Sequence, residues 1–356
     1  MKLIQLLVML CISLLLLSCN KADDKNSKNI NKESKKISIK MAAAFPSSLI
    51  ILGETGIKLT EKINDISGGA INIKYFEPGA LVPAMEIFDA VSSGSVDAGW
   101  ASPAFWAGKV PALQFFTTYP FGPNPSEYIA WLRYGGGNSI FQEIYHKYNI
   151  HSIHCMAISP EGSGWFREEI KSVEDLKGLR MRFLGLGAKV MEKLGVSTQL
   201  LAGGDIYPAL ELGTIDATEY GMPAMDLELG FHEIANNYYF PGWHQPASLG
   251  DLMINLDLWN SLSLSQKTQI EVTCGEMFLD SLAKSEAVQV EAINKLKELG
   301  VKIHQWSPEM MRLFKKNWLI VVEEEATKNS EFKRVWSSLK TFRENYSIWH
   351  DLGYIN

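Results

Sequence analysis

The chain has 356 residues, with 40 Asp and Glu against 34 Lys and Arg, for a formal charge of −6. Mild acidity without a basic stripe excludes nucleic acid as a partner. Its four cysteines make neither a disulfide framework nor a zinc pattern.

In chain order, Lys2 precedes an apolar run from Leu3 to Leu17 and then Ser18 and Cys19. A positive start, about 15 apolar residues and a small residue before the cut describe a secretory signal over 1–18. The run falls short of the roughly 20 residues that span a bilayer. Leu16-Leu17-Ser18-Cys19 resembles the bacterial lipobox, which makes Cys19 the expected lipidation site and new N-terminus. The alternative is an ordinary signal that happens to contain a cysteine. Residues 19–36 are Lys, Asn, Ser and Asp with almost nothing apolar, so they read as a lipid-anchored flexible tether. Loss of Lys2 with the signal takes the charge from −6 to −7. The expected location is the periplasm, with the protein held to a membrane by lipid alone.

The next 320 or so residues are enough for two domains, and an internal repeat divides them. Ile87-Phe-Asp-Ala-Val-Ser-Ser-Gly-Ser-Val-Asp-Ala98 matches Ile206-Tyr-Pro-Ala-Leu-Glu-Leu-Gly-Thr-Ile-Asp-Ala217. Each copy reads as a helix stopped by a glycine (Gly94, Gly213), followed by a short strand. Upstream of the first copy, 37–43 reads as a strand, 49–66 as a helix and 70–76 as a strand. Upstream of the second, 179–183, 188–194 and 196–201 follow the same pattern. Two βαβαβ units predict an α/β molecule with two sheet-based lobes, as in periplasmic binding proteins, and a cleft at the strands' carboxyl ends. Lobe I is expected over 37–160 and 250–264, and lobe II over 161–249 and 301–320.

Residues 265–300 carry apolar positions at helical spacing and predict one spine helix about 50 Å long. A C-terminal helical region, 308–356, holds Trp318, Trp336, Phe342 and Trp349, and is either a dimer contact or ordinary packing. Cys155 and Cys274, far apart in sequence, are expected to be buried free thiols, with a single bridge between them as the alternative.

No Gly-x-Ser-x-Gly elbow, Walker loop or His-Glu-x-x-His is present, so no enzyme signature survives. Arg182 ends a strand just before a helix, where its planar fork can grip a carboxylate. Glu219-Tyr220 stands just past the second copy, as Gly99-Trp100 stands just past the first, so both pairs are expected to face the cleft. Glu161 precedes the strand Gly164-Trp-Phe-Arg167. Two acids in one cleft suggest a hard cation with oxygen ligands; the alternative is that each acid pairs with Arg167 or Arg180.

Three elements carry a family resemblance: Pro78-Gly-Ala-Leu-Val-Pro, Gly-Ser-Val-Asp-Ala, and Asp175-Leu-Lys-Gly-Leu-Arg-Met-Arg182. They resemble the substrate-binding subunits of tripartite ATP-independent periplasmic (TRAP) transporters, over nearly the whole chain from Ile37. Gly-Trp100, Phe121-Gly-Pro, Glu161-Gly-Ser-Gly-Trp-Phe-Arg167, Asp216-Ala-Thr-Glu219 and Tyr239-Phe-Pro-Gly-Trp243 resemble the branch that binds 2-oxo acids or lactate with a metal ion. The resemblance implies closure of two lobes on a pyruvate- or lactate-like acid, contacted by Arg182, Trp100, Glu161 and Tyr220. It implies a sodium or calcium ion held by Glu161, Glu219, the Tyr220 carbonyl and Gln245, with the roles of Glu161 and Gln245 left open. It also implies TRAP membrane subunits as partners, and a homodimer made through a long C-terminal helix. Many members carry an arginine near the place where Glu161 stands. A receptor-coupled sensor and a lyase or hydrolase using Glu161 and Glu219 are the competing readings; neither the particular acid nor the particular metal is fixed by the sequence.

Overall fold

The computed structural model describes residues 36–355; the secretory signal, Cys19 and nearly all of the tether lie outside them. Eleven strands alternate with helices: β1 (Ile37–Ala43), β2 (Ile71–Phe76), β3 (Ala98–Ala101), β4 (Ile150–Ile158), β5 (Gly164–Phe166), β6 (Arg180–Arg182), β7 (Ser197–Gln199), β8 (Ala217–Thr218), β9 (Asn237–Phe240), β10 (Ser248–Asn255) and β11 (Lys302–Gln305). One sheet runs β2-β1-β3-β10-β4 and the other β11-β9-β5-β8-β6-β7.

The sequence repeat becomes a topological repeat. In the first sheet β1 lies between β2 and β3, parallel to both. In the second, β6 lies between β7 and β8, again parallel. An antiparallel strand follows in each, β10 beside β3 and β5 beside β8. Both matching glycines take positive φ, 75° at Gly94 and 68° at Gly213. There the backbone leaves the helix in a left-handed turn that a Cβ would disfavour.

The chain passes between the sheets three times: through 159–163, through 241–247, and along the helices that connect β10 to β11. All eight residues of β10 are buried, because this returning strand sits inside the first sheet with neighbours on both sides. Within the third passage, after a short helix at Leu256–Ser261, the stretch expected as one helix over 265–300 is two, Leu264–Ala287 and Gln289–Glu298. At the break the Ser285 carbonyl accepts from the side-chain amide of Gln289 at 2.7 Å, and that amide's oxygen takes the N–H of Ala224. A side chain occupies the carbonyl that a continuous helix reserves for a backbone N–H.

Helix Leu264–Ala287 lies along β4. Ser281 and Ser285 hydroxyls accept from the backbone N–H groups of Ala157 and Ser159. The same packing brings Cys155 and Cys274 to a Cα separation of 4.1 Å, and they form a disulfide. The expectation of free thiols is corrected here. Adjacency of this strand and this helix is a tertiary outcome that a separation of 119 residues does not display.

The C-terminal region packs against both lobes. Helix Pro308–Lys328 meets lobe II through Lys193–Glu324 and Lys189–Glu325. Helix Ser330–Gly353 then folds back onto lobe I, with Phe332 against Phe115 at 4.5 Å and Arg343 on Glu127 at 2.9 Å. Trp318 is buried, and Trp336 and Phe342 pack against the core. Exposed apolar side chains in this helix are concentrated near its end, at Ile348, Trp349 and Leu352.

Candidate cation and carboxylate site

The strand ends deliver the site. Phe45 follows β1, Ser102 and Phe105 follow β3, Arg182 ends β6, and Glu219 and Tyr220 follow β8. The two short crossovers supply the rest: Glu161 from 159–163, and His244 and Gln245 from 241–247. These crossovers touch. The N–H of Glu161 donates to the Gln245 carbonyl at 3.3 Å, and a Cβ on Gly242 would collide with the Glu161 carbonyl. Glycine at 242 lets the two passages lie side by side.

A cavity of about 40 Å³ opens between the lobes, lined by Glu161, Arg182, Tyr220, Gln245, Ser102 and Ser248 among a largely apolar wall of Phe45, Leu52, Phe105, Met156, Ile158, Leu184 and Leu249. A wider groove of about 780 Å³ lies against helix Gln289–Glu298. We take the small cavity as the site, because buried ionisable groups converge on it and none of them lines the groove.

Arg182 is 1% exposed. Its Nη1 donates to Glu219 Oε1 at 2.7 Å and to the Glu219 carbonyl at 2.6 Å, and its Nε donates to the Leu201 carbonyl at 3.3 Å. Its guanidinium carbon sits 5.2 Å from the centre of the Tyr220 ring. The backbone N–H of Leu184 also donates to Glu219 Oε1. Burial alone would push the Glu219 carboxyl up, but Arg182, His244 and the Leu184 amide together hold it below the usual range.

Glu161 is the opposite case. Burial, and then the negative charges of Glu219 and Asp226, push its carboxyl well above the usual range. Gln245 Nε2 lies 2.6 Å from Glu161 Oε2 and 3.3 Å from Glu219 Oε2, while the Ser248 hydroxyl donates to Gln245 Oε1 at 2.6 Å. An amide N–H₂ thus bridges the two acids. The arginines 167 and 180 do not serve them: Arg180 pairs with Asp216 at 2.6 Å, and Arg167 bonds the Leu210 carbonyl.

Among the described residues, one ligand atom each from Glu161, Glu219 and His244 lies within 4.8 Å of the others, all three residues buried. Sequence reasoning brought forward Glu161, Glu219, Tyr220, Gln245 and Arg182, and the structure gathers them. It missed His244; the usable signal was adjacency to Gln245 within one crossover.

Trp100 is a correction. Its indole is fully buried, donates to the Leu52 carbonyl at 2.8 Å and packs over Gly56, where a Cβ would come within 2.9 Å of the indole nitrogen. It does not line the cavity, whereas Leu52, whose carbonyl it bonds, does. The strand it sits on is covered by helix Leu52–Ile66, so its ring faces that helix, whereas Tyr220 lies beyond the end of β8 and turns inward.

Two sheets joined at three crossovers, with a buried arginine and carboxylates enclosed at the junction, are the build of a solute-binding protein. Residues 42–329 match bacterial extracellular solute-binding protein family 7, and the chain belongs to that family. It is a carrier of solute, not an enzyme. It is 36% identical over 346 residues to a monocarboxylate 2-oxoacid-binding periplasmic protein of Nostoc sp. (strain PCC 7120), covering 96% of this chain and 93% of the relative. A TRAP transporter solute-binding protein from Bordetella bronchiseptica, a mixed-occupancy dimer with calcium and picolinate in one site, superposes with a TM-score of 0.87 at 36% identity, over 90% of this chain and 95% of that one. One from Pseudoalteromonas atlantica, with sodium and pyruvate bound, gives 0.84 at 32% identity, over 90% and 97%.

Proposed function

We propose that the protein captures a small 2-oxo or 2-hydroxy monocarboxylate, pyruvate- or lactate-like, together with a sodium or calcium ion, and delivers it to the membrane subunits of a TRAP-type secondary transporter. The observation that carries this reading is the imbalance of charge around Arg182. Its positive charge is matched by Glu219, which leaves Glu161 without a cation. Were Glu161 ionised with no cation beside it, an anionic ligand about 4 Å away would meet roughly 4 kcal/mol of repulsion at an effective dielectric constant near 20. A cation held by Glu161 and Glu219 removes that penalty and gives the ligand carboxylate a second positive partner.

Gln245 and the Tyr220 carbonyl would complete the oxygen set. A half-turn of the Gln245 amide brings its oxygen where its nitrogen now stands, and Ser248 can then accept rather than donate. Among the described hydrogen bonds none uses Arg182 Nη2, which is left for the ligand carboxylate. One bound water takes roughly 10–15 Å³ on the measure that gives the cavity its 40 Å³, which favours a ligand of few carbons. Protein freed of calcium and sodium and titrated with pyruvate by calorimetry tests the reading: binding should need the cation, and tight binding without it would refute the cation's role.

Cys19 as a lipid anchor rests on the sequence alone. A homodimer is supported by the exposed Ile348, Trp349 and Leu352 near the end of the last helix, and by the dimeric Bordetella protein. Light scattering of wild type and Trp349→Glu checks it; a monomeric wild type would remove it.

A further inference from the structure

His244 is 1% exposed, and neither of its ring nitrogens has a hydrogen-bond partner. Its Nε2 lies 3.5 Å from Glu219 Oε2, beyond a good N–H to oxygen bond. The ring is held in place: Phe183 meets it edge-on at 4.8 Å, and Gly187 leaves room where a Cβ would stand 2.9 Å from His244 Cβ. A buried, fixed imidazole whose nearest polar neighbour is Glu219 at 3.5 Å, and which makes no close hydrogen bond, is placed to share a positively charged partner with that carboxylate.

We propose that His244 ligates the site's cation through a ring nitrogen, so that the site accepts borderline divalent transition ions such as Co²⁺ or Zn²⁺ as well as hard ones. This rests on the cation reading above and adds to it a donor, with a consequence for metal choice. Two ligands of one ion stand at most about twice a bond length apart, so roughly 4.2–4.8 Å for bonds of 2.1–2.4 Å. The atoms offered by Glu161, Glu219 and His244 already meet that limit. A set of carboxylates and carbonyls suits calcium or magnesium, whereas an imidazole nitrogen shifts preference toward cobalt, nickel and zinc. The crossover that carries His244 also carries Gln245, so one segment brings both the nitrogen and the amide to the ion.

The test uses full-length mature protein stripped of metal, in a His146→Gln background that removes the pair His146 and His151, whose nitrogens are 3.3 Å apart, as a competing site. Calorimetric titration with Co²⁺ alone and with Ca²⁺ alone should show one site for each. His244→Phe should weaken Co²⁺ at least about tenfold and Ca²⁺ by less than about threefold. Unchanged Co²⁺ affinity in that variant, or a parent that takes Ca²⁺ but not Co²⁺, overturns the proposal and leaves the cation reading intact. A parent that takes neither overturns the proposal, and one that also binds pyruvate as tightly without sodium as with it overturns both. Should His244→Phe fail to fold, electron spin-echo modulation of the Mn²⁺-loaded parent decides: nitrogen coupling to the metal supports ligation, and its absence refutes it.

Discussion

Arg182 and Glu219 meet twice, through the carboxylate and through the backbone carbonyl of the same residue, in a site where both side chains are almost wholly buried. The arginine that lines the cavity is therefore fixed by an internal partner. Such pre-organisation spares the ordering cost at binding.

Arg182→Lys keeps the charge and loses the planar fork. Ligand affinity is expected to fall at least tenfold, about 1.4 kcal/mol. Arg182→Met goes further by leaving Glu219 buried and unpaired, and should cost about 3–5 kcal/mol of stability. Calorimetry reads the first and chemical denaturation the second; a Lys variant with unaltered affinity would place the ligand's carboxylate elsewhere.

Removing the extra acid separates metal binding from folding. Glu161→Gln takes away a buried carboxyl that makes no ion pair among the described residues, so the metal-free protein should be equally stable or more so. The cation concentration needed for ligand binding should rise, and more for Ca²⁺ than for Na⁺. Melting curves with and without metal, paired with titrations, measure both. A variant that binds Ca²⁺ as the parent does would remove Glu161 from the cation's shell.

Asp251 gives a pH signature away from the site. It accepts from Tyr145 and Ser152 hydroxyls at 2.7 and 2.6 Å, and burial pushes its carboxyl up to about 7 from 3.8. The folded state thus holds a proton that the unfolded state releases at lower pH. Its contribution to stability is fully favourable below the unfolded value and is lost as pH rises from about 4 to about 7. Asp251→Asn should flatten that decline, melting above wild type at pH 8 and no higher at pH 5. Parallel pH profiles for the two proteins would contradict the assignment.

The bridge between Cys155 and Cys274 closes a loop of 119 residues. In the chain-entropy model a loop near that length stabilises by about 4–5 kcal/mol, and natural bridges are typically worth about 2–5. The double variant Cys155→Ser/Cys274→Ser should lose about 2–5 kcal/mol of stability in chemical denaturation while keeping ligand affinity within about threefold. Thiol titration of denatured, unreduced protein should find neither residue free.

For the anchor, Cys19→Ala should move the protein from the membrane fraction into the soluble periplasmic fraction. A wild type already soluble after fractionation would retire the lipobox reading.

The repeat around Gly94 and Gly213, the two βαβαβ units and the placing of Arg182 and Glu219 at strand ends were all readable in the chain. Each depends on local chemistry: a glycine where φ turns positive, a period of two or 3.6, a charged residue where a strand stops. What local pattern could not assign was partnership. That Glu219 pairs with Arg182 and leaves Glu161 alone, that Cys155 meets Cys274, that Trp100 faces a helix rather than the ligand, and that His244 stands beside the acids all depend on segments far apart in sequence coming to rest together. The last helix folds back on lobe I for the same reason: its aromatic residues name a need for burial, and only the packed surface of the lobe determines which of them it meets.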